Sequence, residues 1–330
     1  MNPDIIITAG KEQNGETAGG IVVDAIAEFS RKKSEGKTEK EYFALGLPTG
    51  SSPITTYECI AEAENNGAIN MSDVVCFNLD EYLGLPGKTE EERKFHRESY
   101  WLFMRENFYN KLKRQPHAAY IPPGFKFSTI ELEEALRNEK GSYTVKGKKG
   151  QAIVIARNPF DNELEIAKSC LKRIRYELDA YRAIIENYGG IDIQLIGTGI
   201  NGHVGFHESG IPFSVKCGDR ENDLSMLLVM LEESTREKAV EDKHFLAVEE
   251  APKYALSMGA DLIFKAKKII LLADGAGKAG AVITGLLLPV SENIPLSKIQ
   301  QHPNATVVMD YAAGQGLVKA INGKYGLMYV

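Results

Sequence analysis

Six short apolar runs, separated by stretches of helical period, constrain this chain more than any other feature. They are IIIT at 5–8, YFALGL at 42–47, VVCFNL at 74–79, IDIQLIG at 191–197, KIILLAD at 268–274 and ATVVMD at 305–310, and they read as buried strands. Helical patterns lie between them at 16–34, 53–66, 97–113, 162–187, 252–266 and 277–288. This βαβα order is that of a largely parallel sheet with both faces covered. Ligands of such sheets bind at the C-terminal ends of the strands. Three polar, glycine-containing clusters fall at those ends: PTGSSP, LDEYLG and GTGINGHVGFHESG. Any one of them could be turn chemistry, but three at successive strand ends point to a shared pocket.

The expected fold is α/β, a Rossmann-like three-layer arrangement forming a single domain over 1–330. One stretch interrupts it. At about 125–160 a charged helical piece, TIELEEALRNEK, precedes the link VKGKKG and the apolar run QAIVIA, which together read as a lid-like insertion too small for a core of its own. A net charge of -6 argues against a nucleic-acid partner, since phosphate backbones reward clustered positive charge. The four cysteines, Cys59, Cys76, Cys170 and Cys217, show no CxxC spacing, which suggests neither a zinc site nor a disulfide framework. No run of about 18 apolar residues occurs, and MNPDIIITAG lacks the basic and apolar regions of a signal peptide. The expectation is a cytoplasmic protein with no membrane partner. Association into homo-oligomers is compatible with the pattern but not specified by it.

Within the strand-end clusters, Pro48 to Pro53 form a small-residue turn before a helix, where Thr49, Gly50, Ser51 and Ser52 offer backbone N–H groups and hydroxyls to an anion. The same residues also make an ordinary capped helix start. Asp80 and Glu81 directly follow a buried strand, so at least one carboxylate is expected at the pocket mouth as a base, the competing reading being a helix cap or a loop bond. The segment from Gly197 to Glu208 gathers Asn201, His203, His207 and Glu208. A metal set of His203, His207 and Glu208 is disfavoured, because a four-residue spacing faces one way only on a helix and this loop is too glycine-rich for one. GTGING contains G-x-G-x-x-G, yet no clear helix follows it, which argues against a dinucleotide.

In this order and spacing, LPTGSSP, FNLDEY and GTGINGHVGFHE resemble the motifs of the glucosamine-6-phosphate deaminase family, with further matches at His96–Tyr100, Pro252–Leu256, Gly277–Ala279 and Gln301–Pro303. The resemblance spans most of the chain outside the 125–160 stretch. It implies that Asp80 moves a proton between C2 and C1, that His203 opens the sugar ring, and that Glu208 orients His203. Asn201 stands where members carry Asp or Asn. The resemblance also implies a phosphate held by Gly50, Ser51 and Lys278, a small amino sugar phosphate as partner, and neither a metal nor an organic cofactor; Thr49, Glu81 and Lys243 are further candidate substrate contacts. Histidine titrates near neutrality and a carboxylate suits enolisation, so the residue types fit this chemistry.

The chain departs from the pattern at His207, where Asn is usual, and at Ser209, where Pro is common. Leu227 and Val229 stand where many bacterial members carry a basic pair for an allosteric phosphate sugar, which argues against that control here. The arginine that normally supports the phosphate before PKYAL has no clear counterpart, and Lys243 is the nearest cation. Three rivals share the broad fold: a galactosamine-6-phosphate isomerase-deaminase, a 6-phosphogluconolactonase-like hydrolase, and a non-catalytic sugar-phosphate sensor. Asp80 together with the whole GHVGFHE segment favours amino-sugar isomerisation over lactone hydrolysis, and fold alone never settles function.

Overall fold

Alternation along the apolar runs decides the layering. In strand Phe43–Leu47, Phe43, Leu45 and Leu47 enter one core while Ala44 enters another; in Val74–Asn78, Val74 and Cys76 oppose Val75 and Phe77. Side chains of a strand point to opposite faces in turn, so strands this apolar are stable only when both faces are covered. Helices Lys11–Ser34 and Ile54–Asn65 cover one face with Val22, Ile26, Tyr57 and Ile60. Helix Cys170–Asn187 helps cover the other with Leu171, Ile174, Leu178, Tyr181 and Ile185, the spacing of one helical stripe. Each such fully buried large side chain stabilises the fold by roughly 1.5–3 kcal/mol.

A computed structural model describes residues 3–147, 150–156, 161–217, 220–241 and 243–325. Its main sheet has seven parallel strands in the spatial order Asp4–Thr8, Ala305–Asp310, Lys268–Ala273, Ile193–Ile196, Phe43–Leu47, Val74–Asn78 and Ala118–Tyr120. From Phe43–Leu47 the chain winds outward through Val74–Asn78 to Ala118–Tyr120. It then returns to the centre at Ile193–Ile196 and winds the opposite way. The loops after Phe43–Leu47 and Ile193–Ile196 therefore diverge at a topological switch point, which opens a crevice there.

A second sheet shapes the other wall. Its five antiparallel strands run in the order Asp80–Leu83, Tyr254–Met258, Met226–Met230, Gln151–Ile155 and Ser142–Lys146. Only Leu79 separates Val74–Asn78 from Asp80–Leu83, so Asp80 starts a strand at the corner between the two sheets. The helix expected at 252–266 is absent: Tyr254–Met258 is a strand, followed by the short helix Ala260–Ile263. Tyr254, Leu256 and Met258 face the main core while Ala255 faces an outer cluster, so a slot between two partner strands overrides a sequence that also fits helical period. The helix expected at 97–113 contracts to Tyr100–Asn107, and that at 162–187 divides at Ser169 into Glu163–Lys168 and Cys170–Asn187.

The stretch read as lid-like belongs to the body of the fold. It supplies helix Thr129–Asn138 and the hairpin of Ser142–Lys146 with Gln151–Ile155, whose inner strand pairs with Met226–Met230 and buries Ile153 and Ile155 in the main core. The link VKGKKG and the end of that stretch fall partly outside the described residues. Leu227 and Val229 are buried in the outer cluster with Phe206 and Phe245. Among the described residues no helix is long and apolar enough to cross a membrane.

Candidate active site

At the switch point lies a cleft of about 700 Å³, lined by the Pro48–Pro53 turn, Asp80, His203 and Lys278 among others, a volume in the range of small-molecule sites. The turn is fixed from behind by the buried Tyr57, whose hydroxyl donates to the Pro48 carbonyl. Gly50 takes a φ of 106°, which a residue with Cβ adopts only under strain. Pro53 occupies the N-cap of Ile54–Asn65 and provides no side-chain hydrogen bond, and no acidic residue stands in the first turn. The positive end of that helix therefore meets the cleft without a side-chain cap.

Asp80 forms the opposite wall. It is buried and makes no side-chain hydrogen bond to the described residues, and burial together with the charge of Glu81 pushes its pKa up to about 8. Space for it depends on Gly205, where φ is 54° and an added Cβ would stand 3.1 Å from Ser257 Oγ and 3.3 Å from Asp80 Oδ2. The strand that ends before it is tied down by Asn78, whose carbonyl accepts from Tyr181 Oη at 2.7 Å. Glu81 points away from the cleft and is fully buried. It accepts from the backbone N–H groups of Tyr82, Tyr100 and Trp101 at 2.9, 3.1 and 3.0 Å and from Ser99 Oγ at 3.3 Å, so it anchors the start of helix Tyr100–Asn107. Burial outweighs these donors and raises Glu81 to about 7.

The third wall is the glycine-rich loop after Ile193–Ile196. His203 Nδ1 lies 3.3 Å from Glu208 Oε2, at ion-pair distance but off the line of a hydrogen bond. Glu208 is fully buried and accepts from Thr235 Oγ1 at 2.7 Å and Asn201 Nδ2 at 3.3 Å. Burial alone would raise its pKa; the His203 ring, Thr235 and Asn201 overcome that and hold it below the ordinary value. The Asn201 amide oxygen accepts from His203 N at 3.2 Å. His207 turns elsewhere: Nδ1 accepts from Ala260 N at 3.1 Å and Nε2 donates to the Ile211 carbonyl at 3.0 Å. Burial drives its pKa down to about 4, so it is a neutral brace behind the loop rather than a partner of His203.

Lys278 donates to the Thr198 carbonyl and lines the cleft near the start of helix Ala279–Leu287. Lys243 does not line it. Its φ of 65° and the bond from its N–H to the Val240 carbonyl close the end of helix Glu233–Glu241, and the side chain is exposed. The cleft instead receives Lys238 from that helix and His244 from the loop after it. His244 Nδ1 is 2.7 Å from Glu98 Oε2. Thr235 and Asp274 were not singled out from the sequence, and Tyr100 and Phe206 stood there only as members of motif segments. Thr235 and Lys238 carried a usable signal, since a three-residue spacing places both on one face of a helix.

The sequence comparison decides the family. A deaminase of glucosamine 6-phosphate from Clostridium botulinum (strain Eklund 17B / Type B) is 33% identical over 309 residues, covering 94% of this chain and 94% of that protein. The protein of the same name from Thermoanaerobacter pseudethanolicus is 30% identical over 309 residues, covering 94% of this chain and 93% of its own. This chain belongs to the glucosamine-6-phosphate deaminase family. A solved monomeric glucosamine-6-phosphate deaminase superposes with a TM-score of 0.67 at 26% identity, covering 94% of this chain and 99% of that one. The 6-phosphogluconolactonase of Trypanosoma brucei, at 14% identity and a TM-score of 0.57 over 96% of this chain and 99% of its own, shares the fold alone. No family model matches the chain.

Proposed function

We propose that this protein converts glucosamine 6-phosphate and water to fructose 6-phosphate and ammonia. The observation that carries the reading is a buried carboxylate with no donor among the described residues, Asp80, in the same cleft as a histidine backed by a buried carboxylate, His203 with Glu208. His203 takes the anomeric hydroxyl proton and returns one to the ring oxygen, opening the pyranose, while Glu208 steadies the imidazolium. Asp80, ionised, removes the C2 proton of the open aldose and delivers it to C1. Loss of the C2 proton gives an enolamine once a proton passes from the substrate ammonium to O1. Return of the Asp80 proton to C1 gives the C2 iminium, and water adds at C2 to release ammonia as ammonium and leave the ketose. Asn201 orients His203 by accepting its backbone N–H.

Phosphate falls to the Thr49, Gly50 and Ser51 turn and to Lys278, with Lys238 supplying the positive charge first sought at Lys243 and His244 beside it on the cleft wall. Glu81 serves the substrate only indirectly, through Tyr100. The cleft draws on residues from Pro48 to Lys278, which supports one catalytic domain across the chain. Free Cys59, Cys76 and Cys170 support a reducing, cytoplasmic setting.

The test is release of ammonia and fructose 6-phosphate from glucosamine 6-phosphate by the purified protein without added metal, with galactosamine 6-phosphate as the epimer control. Turnover that Asp80→Asn and His203→Gln both lose supports the reading. No turnover from the folded parent, or turnover that both variants keep, refutes it.

A further inference from the structure

Glu232 lies outside every motif, yet it touches the acid–base machinery through one amide. It sits between strand Met226–Met230 and helix Glu233–Glu241, is buried, and begins that helix by offering its carbonyl to the N–H groups of Thr235 and Arg236 at 3.1 and 3.2 Å. Its Oε1 accepts from Ser234 Oγ at 2.6 Å and its Oε2 accepts from Asn201 Nδ2 at 3.1 Å. The same Asn201 nitrogen lies 3.3 Å from Glu208 Oε2. One NH2 group thus serves two buried carboxylates, with a proton for each. The orientation of the amide follows, because its oxygen faces His203 N–H and a flipped amide would set that oxygen against two anions.

We infer that Glu232 is a positioning residue for the acid–base pair, carrying through Asn201 the negative charge that an aspartate at 201 would carry directly. An acid at 201 beside Glu208 and Glu232 would place three carboxylates together without a proton between them. An amide at 201 with a neutral amide at 232 would keep an acceptor for the Asn201 N–H but leave His203 with one buried carboxylate fewer nearby. Asn201 and Glu232 therefore form a matched pair, and the charge can be exchanged between them. This inference rests on the proposed deamination for its kinetic consequence but not for its structural one.

Four proteins test it: the parent, Glu232→Gln, Asn201→Asp, and the double variant that moves the acid from 232 to 201. With glucosamine 6-phosphate, each single change is expected to lower kcat about tenfold with KM within about twofold, and the double variant to recover to within about threefold of the parent. Additive losses in the double variant, or a Glu232→Gln protein with parental kcat, overturn the inference. If the folded parent releases no ammonia, the functional reading fails by itself and urea unfolding decides the pairing instead. Asn201→Asp is then expected to lose stability that the double variant regains, and equal losses in both overturn it.

Discussion

Asp80, on the cleft wall, and Glu208, behind His203, are both carboxylates taken out of water, and their pKa values move in opposite directions. Asp80 has a neighbouring carboxylate and no side-chain donor among the described residues, and its pKa rises to about 8. Glu208 has His203, Thr235 and Asn201 around it, and its pKa falls below the ordinary value although it is fully buried. Burial sets the stakes and the partners decide the sign. The contrast divides the labour. Asp80 is a carboxylate of raised basicity, suited to taking a carbon-bound proton, whereas Glu208 stays charged and stabilises a protonated His203.

The largest expected effect of breaking this contrast comes from Asp80→Asn, which should lower kcat by about 10³-fold. In the parent, kcat/KM should rise with pH to a break near 8 as Asp80 loses its proton. The same shift predicts a stability signature. The folded protein holds the Asp80 proton more tightly than the unfolded chain, so this contribution is complete below the ordinary carboxylate pKa and is lost as pH rises through about 8. Thermal scans between pH 5 and 9 should therefore fall more steeply for the parent than for Asp80→Asn, and parallel curves would contradict the assignment. Glu208→Gln should act in the opposite sense, because a lowered pKa stabilises above the ordinary carboxylate range and the contribution is lost as pH falls through the folded value. At pH 7 urea unfolding should show a loss of about 2 kcal/mol, and kcat should drop about 10²-fold. The smallest kinetic effect should be that of His207→Asn. Its lost bonds to Ala260 and Ile211 cost about 1–2 kcal/mol of stability, while kcat and KM stay within about twofold. A large kinetic loss there would remove the distinction between His203 and His207.

How much of this was legible in the sequence follows the physics of each part. The parallel sheet was readable because strands buried on both faces must be near-continuously apolar, as FALGL and VVCF are. The antiparallel sheet was not. Tyr254–Met258 satisfies a helical stripe as well as a two-residue alternation, and only the partners at Asp80–Leu83 and Met226–Met230 select the strand. In the cleft, Asp80 and His203 announced themselves through strand-end position and residue type. Glu81, adjacent to Asp80, could not be separated from it until alternation turned it to the N–H groups of Tyr100 and Trp101. Lys238 and His244 were missed because neither belongs to a motif and only the packing of helix Glu233–Glu241 and the loop after it brings them to the cleft, while Lys243 is turned out by its left-handed backbone.

The most direct test of the central claim follows deuterium from C2 of [2-²H]glucosamine 6-phosphate in ordinary water to C1 of the fructose 6-phosphate formed. If Asp80 is the single base that moves the proton, part of the label appears at C1 in the parent and Asp80→Asn forms essentially no product. Product without label at C1, formed at a rate that Asp80→Asn leaves intact, would contradict the account.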